Sequence, residues 1–197
     1  GEQRAAVAAF VDFRKAYDTV DRRFLRDVAA RLGCGAGFLS WMGVMLSRTY
    51  SCAVVNGFVS SFHECTAGVR QGCPLAPLLY LFAGQALLCH FKQLGVGIQV
   101  AGSTQPAAQY ADDVEPLVPD FASVPSLVAG LQTFGAASGQ FLNPSKSRLL
   151  LLGRQPTAQP VPAAVAGLEV VQSAASLGIV FAGQGVEGCD WGARMAK

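Results

Sequence analysis

An α+β fold, with a layer of strands backed by helices on one side, is what this 197-residue sequence predicts. Three observations predict it. Short apolar runs of strand length alternate with stretches of helical periodicity. Apolar residues make up 51% of the chain and charged ones only 14%, which excludes a disordered chain and suits one domain with a real core. No internal repeat and no second compact domain can be read, so one domain is expected over residues 1–182 and a tail over 183–197.

Residues 5–13 (AAVAAFVDF) read as a strand buried on both faces, with Asp12 where it leaves the core. A helix start follows at Asp18–Thr19–Val20–Asp21, with Asp21 as N-cap. Phe24, Val28 and Leu32 recur at helical spacing, and Arg22, Arg23, Arg26 and Arg31 lie mostly off that face. Gly33 and Gly35 end the helix, and a second amphipathic helix is expected over 38–50. Asn56–Gly57 between two β-rich runs predicts a hairpin over 51–65. A loop at 68–74 leads through Pro74 into a long buried helix ending near Phe91. Strands are expected at 95–101, 107–110 and 114–118, the last two making Asp112–Asp113 a hairpin tip. A helix over 123–139 buries Val124, Leu127, Val128, Leu131 and Phe134, and strands follow at 147–152, 168–171 and 176–181.

Composition narrows the function classes. Six cysteines without a CxxC pair, and only two histidines, argue against zinc; the scatter suits buried, reduced thiols in an intracellular, nuclear or cytoplasmic, protein rather than a secreted disulfide framework. No secretory signal opens the chain. Residues 71–91 carry no charge and could by length span a bilayer, but Gln71, Pro74, Pro77, Gln85 and His90 make a buried helix the better reading, with no membrane partner. Residues 14–31 hold six basic residues (Arg14, Lys15, Arg22, Arg23, Arg26, Arg31) against three acidic ones. That stripe suits a polyanion, or a solvated helix face.

Chemistry concentrates at Tyr110–Ala111–Asp112–Asp113, after a stretch without charge from residue 93 to 111. Adjacent carboxylates repel and raise each other's pKa unless a cation neutralises them. A hard cation with oxygen ligands, Mg²⁺, fits, and Mn²⁺ is possible. If the strand of Asp12 lies beside this hairpin, three carboxylates converge and can hold two divalent ions. Any one Asp taken alone reads better as a surface turn residue; three at strand ends do not.

The order FVDFRKAYDTVD, GVRQGCPLAPLLY, YADD, SGQFLNPSK and SLG resembles a reverse transcriptase, most like those of non-LTR retrotransposons and next those of group II introns. The resemblance runs from about residue 5 to 182 and implies a polymerase palm, an antiparallel sheet backed by helices, with part of the fingers and no thumb. It implies RNA-directed DNA synthesis by two-metal nucleotidyl transfer, with an RNA template, a DNA primer and deoxynucleoside triphosphates as partners. By resemblance, Asp12, Asp112 and Asp113 are catalytic carboxylates that bind metal, joined by the backbone carbonyl of Phe13. Lys146 resembles the lysine that protonates leaving pyrophosphate. Tyr17 matches the steric gate against a 2′-hydroxyl; Arg70, Gln71 and Gly72 match the nucleotide-binding loop. Leu177 and Gly178 match the hairpin that grips the primer. Read without the family, Tyr17 is also a core tyrosine, Arg70 a salt-bridge partner and Lys146 a solvated surface residue.

The chain departs from the pattern in three ways. Upstream fingers segments and a downstream thumb are missing from the sequence, and the strand after the aspartates carries Glu115 and Pro116 where apolar residues are usual. These departures suggest a truncated or excised domain, or a catalytically inactive retroelement remnant that keeps the fold and weak nucleic-acid binding. Oligomeric state is not legible.

Overall fold

The strand predicted over residues 5–13 lies in the interior of a six-stranded sheet. It is β1 (Ala6–Phe10), and the computed structural model describes it together with the rest of residues 5–153 and 160–183. A single turn, α1 (Ala16–Thr19), is followed by α2 (Arg22–Arg31), α3 (Ala36–Leu46), β2 (Thr49–Ser51), β3 (Val54–Val55), β4 (Phe58–Val59) and β5 (His63–Cys65). The long helix α4 (Ala76–Gln93) leads to β6 (Ile98–Val100), β7 (Ser103–Gln105), β8 (Ala107–Tyr110) and β9 (Asp113–Val118). Then come α5 (Val124–Ser138), β10 (Arg148–Leu152), β11 (Ala164–Val165), β12 (Leu168–Val171), β13 (Ser173–Ser176) and β14 (Ile179–Ala182). The expected tail at 183–197 falls, but for Gly183, outside the described residues.

Strand order in the sheet is β11-β12-β10-β1-β9-β8, all antiparallel except the parallel pair β10–β12. Val7, Ala9, Val11 and Phe13 point to one face, where they join Leu87 and Phe91 of α4 and Leu127, Leu131 and Phe134 of α5 in the main core. The opposite face of β1 is also covered. Phe10 meets Phe181 of β14 at 5.9 Å, and Ala6 and Ala8 are buried. That two-sided cover is why the strand reads as continuous apolar sequence. A second core, around Leu25, Met42, Leu79 and Val20, joins α2 and α3 to the start of α4.

Several expectations shift by a turn or less. Asp21 caps α2, accepting the Phe24 amide at 2.6 Å. The deepest line of that helix is Leu25 and Ala29, while Leu32 is exposed, so the buried stripe is rotated one residue from the predicted one. α3 begins two residues before the predicted start and ends at Leu46, and it is not amphipathic: Trp41, Val44 and Met45 are exposed and only Met42 is fully buried. Pro77, not Pro74, occupies the first turn of α4. Asn56 and Gly57, at φ +50° and +83°, make the predicted primed turn. The run 95–101 supplies only β6, which pairs with β7 in a separate small hairpin outside the main sheet. The strand expected at 176–181 is broken by a turn at Leu177–Gly178, giving the hairpin β13–β14.

Of the six cysteines the five described are not fully buried: Cys34, Cys52, Cys65 and Cys73 are partly exposed and Cys89 is exposed. Among the described residues no helix is long and apolar enough to cross a membrane; α4, the segment in question, is packed in both cores.

Candidate active site

Asp12 sits just past β1, where the chain is held from both sides. Val11 pairs with Val114 of β9, and Phe13 bridges to Leu142. The loop after α5 grips Asp12 itself. Its amide donates to the Ser147 hydroxyl at 3.0 Å, its carbonyl accepts the Asn143 amide at 2.8 Å, and its Oδ2 accepts from Asn143 Nδ2 at 2.9 Å. Ser147 is fully buried and donates to the Asn143 carbonyl at 2.9 Å. Asn143 and Ser147 thus position Asp12 through three contacts. The motif SGQFLNPSK contains Asn143, but the sequence alone assigns neither Asn143 nor Ser147 a role. The signal was an amide and a hydroxyl four residues apart, flanking a proline turn.

The turn of the β8–β9 hairpin is Ala111–Asp112, and Asp113 opens β9 paired with Tyr110, so the tip lies one residue before the predicted Asp112–Asp113. Ala111 carries the turn at φ +53°, and Gln109 Nε2 donates to its carbonyl at 3.3 Å. Gly84 of α4 makes this possible, since a side chain there would collide with Gln109. Along β9 the residues alternate: Val114, Pro116 and Val118 are buried toward the helices, while Asp113 and Glu115 face the other way.

On that second face lies a cleft of about 220 Å³. Asp12, Asp113, Glu115, Lys146 and Leu177 line it, with Phe10 at its floor. Asp12 and Asp113, far apart in sequence, are brought together by the β1–β9 pairing. Burial pushes the Asp113 carboxyl above its ordinary pKa, and the charges of Asp112 and then Asp12 push it further. Asp113 thus feels the charges of both Asp112 and Asp12. Their oxygens are the right donors for a hard cation. As the side chains stand, however, no three acidic, His or Cys groups among the described residues are gathered as metal ligands. Asp12 is turned to Asn143, and Asp112 is exposed. The ring of Phe13 is buried, so only its backbone is available to a ligand.

Tyr17 stands beside this group. Its hydroxyl is raised in pKa by burial and then by the charge of Asp112. Its ring stacks on Tyr80 at 4.5 Å and 16°, and its carbonyl accepts the Val69 amide at 2.7 Å. Arg70 and Gln71 do not line the Asp12 cleft. They line a second one, about 590 Å³, with Asp18, Tyr50 and Gly68. Gln71 Nε2 donates to Asp18 Oδ1 at 3.2 Å, and Arg70 reaches the Tyr50 carbonyl at 3.4 Å. Gly72 adopts φ +81° with open space around it. Leu177 and Gly178 are exposed at the turn of their hairpin, and Gly178 does not line the cleft.

Arg22 belongs to neither a stripe nor a solvated face. Its guanidinium donates to the carbonyls of Gly68, Leu46, Cys65 and Ala67 at 2.8, 2.7, 2.6 and 3.0 Å. Burial lowers its pKa. It ties down the segment that leads into Arg70 and Gln71, a role that its place among other basic residues concealed.

A sheet backed by helices, with carboxylates at adjoining strand ends, is the layout of a polymerase palm. Residues 2–181 match the family "Reverse transcriptase (RNA-dependent DNA polymerase)", and the chain belongs to it. It is 30% identical over 139 residues to the retrovirus-related Pol polyprotein from type-1 retrotransposable element R2 of Popillia japonica, covering 70% of this chain and 20% of that protein. It is 28% identical over 145 residues to the transposon TX1 uncharacterized 149 kDa protein of Xenopus laevis, covering 73% and 11%. These relatives make it a reverse transcriptase domain of the non-LTR retrotransposon type, spanning a fifth or less of their length. In fold it is similar to telomerase from Candida albicans, solved in complex with a TWJ fragment of telomeric RNA. The TM-score is 0.58 at 15% identity, over 95% of this chain and 32% of that one.

Proposed function

We propose that this domain is the palm of an RNA-directed DNA polymerase, adding deoxynucleotides to the 3′-hydroxyl of a DNA primer on an RNA template. The observation that carries the reading is the cleft shared by Asp12, Asp113, Lys146 and Leu177, with Asp112 and Tyr17 beside it. Asp12, Asp112 and Asp113, with the Phe13 carbonyl, would hold divalent cations, Mg²⁺ or Mn²⁺, and these would supply charge stabilisation at the transferring phosphorus. Lys146 is a proton donor poised on the same cleft. Leu177 and Gly178, at the tip of the β13–β14 hairpin, meet the primer terminus. Tyr17 bars a 2′-hydroxyl by steric overlap, because its ring is already packed against Tyr80 and has nowhere to retreat. Arg70, Gln71 and Gly72, in the neighbouring cleft, contact the incoming nucleotide.

Two features favour a second reading, a catalytically silent palm. Glu115 adds negative charge to the cleft. β9 pairs with β1 at Val118 and Leu117 and again at Val114, with nothing between, where Pro116 has no N–H to offer Ala9.

Primer extension on an RNA template separates the two. The wild-type domain extends with Mg²⁺ or Mn²⁺, Asp112→Asn loses at least 100-fold (an order-of-magnitude expectation for lost electrostatic stabilisation), and Tyr17→Val admits ribonucleotides. Equal extension by wild type and Asp112→Asn removes the metal assignment. No extension by a folded wild type that still binds the primer–template favours the silent palm.

A further inference from the structure

The polar interior between α1 and α5 is built around one residue. Gln140 is 1% exposed, immediately after the glycine that ends α5. Its amide is used on both sides. Oε1 accepts the Tyr80 hydroxyl at 2.8 Å; Nε2 donates to the Ala16 carbonyl at 2.8 Å and to the Thr19 hydroxyl at 3.3 Å. Tyr80 is the ring stacked on Tyr17, and Ala16 is the residue before Tyr17 in the chain. Gln140 therefore holds both the platform under the Tyr17 ring and the backbone from which that ring springs.

A buried amide is costly unless every partner is present, so this arrangement has one low-energy geometry. A leucine of similar size would fill the same space but would leave the Tyr80 hydroxyl and the Ala16 carbonyl unpaired. The stack would then be free to slide. The backbone beyond Tyr17 is fixed separately, by the Val69 amide on the Tyr17 carbonyl and by Gly68, which lies against the Asp18 backbone. The ring's own position is the one degree of freedom left to Tyr80 and Gln140.

We infer that Gln140, acting through Tyr80, is a positioning residue that sets how strictly the Tyr17 ring discriminates deoxynucleotides from ribonucleotides. The inference rests on the reading of Tyr17 as the sugar gate. It adds that the gate's stringency is set from the interior of the domain, by a side chain that never meets the nucleotide. Loss of Gln140 lowers discrimination without removing the gating ring.

The experiment measures equilibrium affinities for deoxyadenosine and adenosine triphosphate with Mn²⁺, by titration calorimetry. The domain is loaded with an RNA template and a dideoxy-terminated DNA primer, so no chemistry follows. The readout is the ratio of the two affinities, which a general loss of stability does not move. Gln140→Leu is expected to lower the ratio about tenfold, the equivalent of one satisfied buried hydrogen bond. Tyr80→Phe, which keeps the stack and removes only the hydroxyl, is expected to lower it about threefold. It decides the matter if Gln140→Leu does not fold. A wild-type ratio in both variants, with the ratio collapsed in Tyr17→Val, overturns the positioning role and leaves the gate standing. A wild-type ratio in Tyr17→Val, no discrimination by the wild type, or no nucleotide binding at all overturns the gate itself.

Discussion

Arg22→Met tests how the loop that leads into Arg70 and Gln71 is held. The native guanidinium donates to four carbonyls from 2.6 to 3.0 Å, three of them in residues 65–68 and one at Leu46, the end of α3. A hydrogen bond to a charged donor is worth about 1.5–3 kcal/mol when buried. Arg22 is only partly buried, so the freed carbonyls recover water, and the bonds share one side chain and are not additive. A loss of about 2–4 kcal/mol follows, or a drop of roughly 5–15 °C in Tm for a domain of this size. Methionine keeps the aliphatic stem and removes the donors. Lysine, with a point charge and no planar fork, recovers less than half. Urea unfolding followed by circular dichroism measures the loss, and hydrogen exchange at 66–70 locates it. A change below about 0.5 kcal/mol, the range of an ordinary surface arginine, would refute the clamp. So would exchange that quickens everywhere except that loop.

Other outcomes follow from the same contacts. Asp113→Asn bears on pH. A carboxyl raised in the folded state binds more protons there than in the unfolded chain, so stability falls as pH rises from the ordinary carboxyl range through the raised value. The amide removes that loss. Without divalent cation it should raise Tm by about 1–2 °C at pH 7 and leave it unchanged at pH 3, read by scanning fluorimetry, and a lowered Tm at pH 7 contradicts the repulsion. Gly68→Ala should cost about 3 kcal/mol or more, because φ is +76° and the new methyl would strike the Asp18 backbone. Gly72→Ala should cost about 1 kcal/mol, with φ +81° and open space. Equal urea midpoints for the two variants rule out the close approach at Gly68. Pro116→Val supplies the missing donor between β9 and β1, and its amide should exchange slowly with solvent; rapid exchange there means the ladder is interrupted for another reason.

What was legible in the sequence is what is encoded locally. The Asn56–Gly57 turn, the Asp21 cap and the buried face of α5 each depend on residues within one or two turns of one another. The pair Asp112–Asp113 announces itself as like charges at the end of a neutral run, and the β8–β9 hairpin carries one in its turn and the other at the start of β9. Partners that meet only through tertiary structure were not legible. Arg22 looked like its basic neighbours because nothing near it in sequence reveals that four carbonyls from residues 46–68 will surround it. Gln140 looked like a polar residue after a helix; its partners lie 60 and 124 positions away. The 176–181 run read as one strand because Ile179, Val180 and Phe181 outweighed a Leu–Gly turn, whose left-handed leucine sequence reading does not favour. Helix α3 misled for the opposite reason: its apolar residues surround the helix, so no single stripe fixed its ends.

The place of β1 in the sheet has a consequence for how the domain is made. It precedes its sheet neighbours in the chain by a long way: β9 ends at Val118 and β10 at Leu152. At about 5–20 residues per second, an uncharged AVAAF strand with two open edges waits on the order of 5–30 s for both partners. Helices α2 to α4 can form in that interval from local contacts, but the core of the sheet cannot. Folding is therefore gated by the late arrival of β10, and the same delay postpones the contacts of Asn143 and Ser147 with Asp12. Until then β1 exposes apolar edges, the kind of surface that makes partly folded chains prone to aggregate.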